Sequence, residues 1–232
     1  MSRSITITDA SKGKPYRLLE HIASDNPARI GVKRISGRIG WYNISEDLEW
    51  RYAVSGQSPS EPIKIRSGLY NFDGLVKQFT DQIDGLNIEV NNYNGKIDMS
   101  IPDTYQIWFP DRVRSMLGLD DENWIAAGGY DGDRAIEFSP RRVLLYLKQL
   151  STTGNLQSDN ATLTTSQLLG FVNLSNGAFG DYFVTNYEKP SFKKLQATDI
   201  SELDFDFKIE WRDRTEKLDN HSQPLDLVLE IK

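Results

Sequence analysis

From Ile30 onward, apolar and polar residues alternate over short runs, the period-two signature of strands with one buried face. Ile30, Val32 and Ile35 lead into Ile39, Trp41 and Tyr42, then Leu48, Trp50, Tyr52 and Val54, which predicts two or three strands. Residues 56–62 form a turn-rich break, and Ile63 and Ile65 then alternate with Lys64 and Arg66. The period changes at Phe72. Phe72, Leu75, Val76, Phe79 and Ile83 fall at helical spacing and mark one apolar stripe. Asn71 is placed to cap that helix, Asp73 complements its dipole, and Gly85 can end it. Leu86, Ile88 and Val90 alternate on one side of Asn91-Asn92-Tyr93-Asn94-Gly95, and Ile97, Met99 and Ile101 on the other, which predicts a hairpin closed by Asn-Gly.

Residues 105–109 predict a further strand, and Pro110 suits the first position of a second helix carrying Val113, Met116 and Leu117, with Gly118 after its end. Residues 120–133 read as a loop rich in glycine and acid. Strands follow at 135–138, 143–150, 168–172, 182–187, 203–211 and Leu225–Ile231. In the last two, Phe205, Phe207, Ile209 and then Leu225, Leu227, Leu229, Ile231 alternate with polar residues. About eight to ten strands, two short helices and no βαβ alternation predict a mainly β fold. The expected architecture is an antiparallel β-sandwich of jelly-roll type with two short helices in the connections. Residues 1–26 are expected as a polar arm or edge segment, with a short strand around Ile5 and Ile7, and residues 27–232 as a single jelly-roll domain.

Composition narrows the function. The chain has 232 residues with 38% hydrophobic and 11% aromatic content, enough to build a core. A formal charge of −6 argues against a protein that coats nucleic acid. The basic clusters are scattered: Lys33-Arg34, Arg112 with Arg114, Arg141-Arg142, and Lys193-Lys194. Each reads first as a solvated surface pair, and Arg112, Arg114, Arg141 and Arg142 also as interface candidates. The absence of cysteine excludes disulfides, thiolate metal sites and thiol catalysis, and it points to assembly in a reducing compartment. No apolar run reaches the ~18 residues of a membrane span, and the first residues lack the apolar core of a signal peptide. The sequons at Asn43, Asn160 and Asn173 therefore read as chance matches.

Candidate chemistry is sparse. His21 and His221 lie in no catalytic or metal-binding motif, and the P-loop, nucleophile-elbow, zincin and dinucleotide fingerprints are missing. The acidic loop offers Asp120, Asp121, Asp131 and Asp133 as weak candidates for a hard cation, without the spacing or terminal Glu of an EF-hand. Trp41, Trp50, Trp108 and Trp211 fall in strand patterns and read as packing residues. Trp124, in the acidic loop, is the tryptophan expected at the surface, as an interface or ligand contact.

The order of segments resembles the minor capsid (penton) protein of Polinton-like elements and adintoviruses. Ile35-Ser36-Gly37-Arg38-Ile39-Gly40-Trp41-Tyr42-Asn43-Ile44 is similar to the family's early strand ending in an aromatic-Asn pair. Ser67-Gly68-Leu69-Tyr70 and the helix after it resemble its Gly-x-Tyr turn and helix. Met116-Leu117-Gly118-Leu119 resembles the close of its next short helix. The runs Val143-Leu144-Leu145-Tyr146-Leu147, Leu168-Leu169-Gly170-Phe171-Val172 and Tyr187-Glu188-Lys189-Pro190, and the final hairpin, fall where the family has its later elements. The resemblance covers the chain from about Ile30 to its end. It implies a non-enzymatic single jelly-roll subunit without cofactor. Such a subunit forms a homopentamer at an icosahedral vertex, packs on major capsid proteins and resides in the virion after assembly in the host cell. The residues alone leave two other readings. One is a glycan-binding or attachment β-sandwich, with or without calcium. The other is a hydrolase built on a carboxylate pair.

Overall fold

The apolar alternation is realised as antiparallel strands. A computed structural model of the chain describes residues 3–10, 15–23, 26–120, 124–150, 167–174, 180–212, 214–219 and 223–232. The first strands are β1 (Arg3–Ile7), β2 (Tyr16–Ala23) and β3 (Arg29–Arg38). Then come β4 (Leu48–Val54), β5 (Ile63–Ile65), α1 (Phe72–Thr80), β6 (Asn87–Val90), β7 (Ile97–Ile101), β8 (Tyr105–Trp108), α2 (Asp111–Leu117) and β9 (Gly128–Asp131). The chain continues through β10 (Arg142–Leu147), β11 (Leu168–Asn173), β12 (Tyr182–Asn186) and β13 (Lys193–Lys194). It ends with β14 (Asp199–Leu203), β15 (Phe205–Glu210), β16 (Thr215–Lys217) and β17 (Leu225–Ile231). Every strand pairing among the described residues is antiparallel. The chain divides into two compact units, Met1–Trp41 with Pro140–Lys232, and Tyr42–Ser139.

In the first unit, one sheet runs β1-β17-β3-β12, with β13 also on β3. A second runs β11-β10-β15-β16, and β14 pairs with β2. The perfect alternation of β17 buries Leu225, Leu227, Leu229 and Ile231, and that of β15 buries Phe205, Phe207 and Ile209. The two sheets approach closely where β11 carries Gly170. A side chain there would meet Val32 Cγ2 on β3 at 3.2 Å. The expected arm at 1–26 carries β1 at the sheet edge, paired with β17, and β2, paired with β14.

The second unit holds both helices and two small sheets, β5-β4-β8 and β6-β7-β9. Asn71 caps α1 as expected, its Oδ1 accepting the Gly74 N–H at 2.8 Å. The helix proper stops at Thr80, and Ile83 completes the apolar stripe from the following turn, buried like Leu75, Val76 and Phe79. The core is aromatic: Trp50 meets Phe79 edge-on at 5.0 Å and Phe79 meets Phe109 at 4.7 Å between centroids. Burying each of these rings is worth roughly 2–3 kcal/mol.

Two expectations need correction. Residues 128–131 are not loop but strand β9, paired with β7. Gly128 and Gly129 have no side chains to alternate, so the partner strand specifies it. Residues 135–138 are not a strand. The backbone here is satisfied one group at a time, with Ile136 N–H donating to Gly95 O at 2.9 Å and Glu137 N–H to Met116 O at 2.8 Å, after the Arg134 N–H has donated to Gly118 O at 2.9 Å.

Gly118 closes α2 in the left-handed region at φ 75°, and a Cβ there would lie 2.1 Å from Arg134 O. Gly118→Ala is expected to cost about 2–4 kcal/mol through strain and displacement of that carbonyl. Urea denaturation of the two proteins measures it.

Candidate functional site

A buried polar group of the second unit is the Asn43 amide, 2% exposed in the turn before β4. Its Oδ1 accepts the Tyr70 N–H at 2.9 Å, and its Nδ2 donates to Tyr70 O at 2.7 Å and Phe138 O at 3.0 Å. Its backbone oxygen accepts Arg112 Nε at 2.6 Å. Next to it, Ile44 and Gly68 exchange both backbone hydrogen bonds, at 3.1 and 2.8 Å. Phe72 packs edge-on against Phe138 at 5.9 Å. One residue therefore ties together the approach to β4, the entry to α1, the first turn of α2 and the segment after β9. The sequon at Asn43 is excluded as a glycosylation site, because its amide nitrogen is buried and donates twice. Asn173 is exposed, and Asn160 lies outside the described residues.

The acidic loop is occupied with its own closure. Asp133 Oδ2 accepts the Asp120 N–H at 2.8 Å and the Tyr130 hydroxyl at 2.7 Å. These hydrogen bonds hold the Asp133 carboxyl below the usual aspartate value. Asp120 pairs with Arg134 Nε at 2.7 Å. Asp131 points outward from β9, and Asp121 lies outside the described residues with Glu122 and His221. Among the described residues, no group of three or more acids or imidazoles could hold a metal ion. His21 pairs with Asp199 at 3.2 Å on the surface of the first unit.

The candidate arginines separate by role. Arg114 is not a solvated residue: it is 7% exposed on α2 and binds Asp111 at 2.6 Å. Arg112 is partly buried and serves the Asn43 turn. Arg141 and Arg142 are exposed. Arg142 lies 5.1 Å over the Phe171 ring of β11 and 3.5 Å from Glu210. Trp41, Trp50 and Trp211 are buried, whereas Trp108 and Trp124 are half-exposed in the second unit.

Exposed apolar residues, which the sequence did not single out, gather on β12. Among the described residues this strand pairs only with β3, and it presents Tyr182 at 56% and Val184 at 43% exposure. Arg34 lies 3.3 Å from the Tyr182 hydroxyl. Hydrogen bonds from Ser36 and Arg34 lower the pKa of that phenol. Phe171, Leu19 and the hairpin-tip Tyr93 are also exposed. No helix among the described residues is long and apolar enough to cross a membrane.

Antiparallel sheets carrying two helices in their connections make this a mainly β protein of jelly-roll type. Among solved structures, the fold is similar to the crystal structure of the selenomethionine-labelled mavirus penton protein. The TM-score is 0.51 at 12% identity, over 100% of this chain and 99% of that one. No family model matches the chain, and no curated protein matches it.

Asn43→Ala should orphan two carbonyls and one N–H in the interior, at a cost of about 2–4 kcal/mol read from chemical denaturation. Asp133→Asn should cost about 0.5 kcal/mol at neutral pH, since the carboxylate is solvated. The folded carboxyl ionises more readily than the unfolded one. Its contribution is therefore present above the ordinary aspartate range and lost as pH falls through the lower folded value. Melting temperatures of the parent and this variant should converge as pH falls below the ordinary aspartate range.

Proposed function

We propose that this chain is a structural capsid protein, the vertex (penton) subunit of a virus or virus-like element related to the Polinton-like group. The observation that carries the reading is the likeness of fold to a penton protein along the whole of both chains. The sequence supports it independently. The aromatic-Asn pair, the Gly-x-Tyr turn and the Leu-Gly-apolar helix end resemble family motifs that lie far apart along the chain. Asn43 and Tyr70 bond directly, and Arg112 and Phe138 complete the same cluster.

In this reading the subunit is not an enzyme and needs no cofactor. Its partners are four further copies of itself and the major capsid protein, and it resides in the virion after assembly in the host cell. A closed ring requires two different faces of one subunit to match. The exposed aromatic and aliphatic residues of β12, with Arg142 over Phe171 and the exposed Arg141, supply the apolar and guanidinium anchors that interfaces favour. Arg112 and Arg114 act instead through the fold of the second unit.

Size-exclusion chromatography with light scattering, alone and with the major capsid protein, tests this. The expected result is a five-subunit ring, or incorporation at vertices when the partner is present. A strict monomer at high concentration that joins no assembly would overturn the reading. Val184→Lys is expected to weaken ring formation at least tenfold while leaving the melting temperature within about 2 °C of the parent.

A further inference from the structure

We propose that the outer face of the β5-β4-β8 sheet is a carbohydrate-binding site that takes a neutral hexopyranose ring. Strand register builds the site. Ile107 and Ile125 exchange both backbone hydrogen bonds, at 3.0 and 2.8 Å. The adjoining residues, Trp108 and Trp124, are therefore a non-hydrogen-bonded cross-strand pair on one face, the closer of the two pair geometries. On the other side of β8, Trp108 faces Arg51 in register, and Glu49 lies two residues along β4 on the same face. The two indoles, Pro110, Asp47, Glu49 and Arg51 line a groove of about 470 Å³, within the range of small-ligand sites. Leu48 also lines the groove, whereas Trp50 turns the other way and is fully buried, and neither groove indole belongs to the buried core of the second unit.

The chemistry selects the guest. Half-exposed indoles offer flat apolar faces for the C–H face of a sugar ring, and carboxylates and a guanidinium beside them accept from and donate to its hydroxyls. Among the described residues, no hydrogen bond or ion pair engages the side chains of Glu49 and Arg51. A cationic guest would meet Arg51 directly beside Trp108, and Lys64 stands opposite Glu49 in register, so the site is close to electroneutral. An electroneutral groove gives the phosphates of a nucleic acid no net attraction. A neutral, hydroxyl-bearing ring satisfies all of these groups at once. A vertex subunit with such a groove would carry attachment to host glycans in addition to its place in the shell, but the inference stands on the second unit alone and does not need the vertex reading.

Isothermal titration of the full chain with cellohexaose, chitohexaose, N-acetyllactosamine and mannotriose tests the proposal, with tetramethylammonium and a deoxythymidine oligonucleotide as competing classes. At least one saccharide should bind saturably and quench tryptophan fluorescence. Trp124→Ala and Glu49→Gln should each weaken that binding at least tenfold with an unchanged melting temperature. Trp124→Ala alone removes the indole, so Glu49→Gln keeps the test valid if the former unfolds. Absence of binding by all four saccharides, binding insensitive to both variants, or variant-sensitive binding of the cation or the oligonucleotide instead would overturn the proposal.

Discussion

A single buried amide organises the second unit. Asn43 offers one acceptor and two donor hydrogens, and all are matched by backbone groups from segments more than 25 residues away in sequence. A buried carbonyl or N–H without a partner costs about 1–3 kcal/mol, so each segment is fixed where Asn43 can reach it. The consequences run outward. Tyr70 is held, so Asn71 is placed to cap α1, and α1 can lay Leu75, Val76 and Phe79 into the core. The backbone oxygen of Asn43 accepts Arg112 Nε, and α2 follows the extended Pro110 and ends where Gly118 can turn under Arg134 O. Asparagine suits this place better than aspartate, which has no donors, or leucine of similar volume, which has neither.

The first unit depends on a different economy. There the backbone ladders of β3, β17, β10 and β15 do most of the joining, and alternate side chains form the core between them. Its edges are where the apolar surface emerges, on β12 and β11. Polar contacts tie neighbouring segments of each unit together. Asp133 closes the 120–133 turn, Lys148 binds Asp204 at 2.7 Å with its pKa raised by that hydrogen bond, and Asp47 accepts the Ser67 N–H at 2.8 Å. These groups hold shape.

Much of this was legible in the sequence where local signals and tertiary structure agree. β17 has the expected bounds, because its alternation is unbroken and its register with β3 puts every leucine inward. The Asn91–Gly95 turn and the Pro110-to-Gly118 helix were legible because turn and cap residues act locally. β2 was not. Its register with β14 slips between Ile200 and Glu202, so Leu18 and Ile22 are buried four apart while Leu19 is fully exposed, which masks the period of two. β9 was hidden by its glycines. The burial of Arg114 was hidden because a charged helix residue looks solvated until its Asp111 partner and the chain above it are seen. The groove tryptophans were half legible. Trp124 stood out as a surface residue, but its pairing with Trp108 follows from the Ile107–Ile125 bridge, which joins segments that no local pattern connects.

The dependence of the second unit on one side-chain amide can be measured at a single backbone proton. Native-state hydrogen exchange of the Tyr70 N–H, followed against denaturant, reports the free energy needed to break its bond to Asn43 Oδ1. That proton should exchange only by opening of the whole unit, with the same free energy and denaturant slope as core amides of β7. Exchange through a low-energy local fluctuation, independent of denaturant, would show that the amide decorates the unit and does not hold it together.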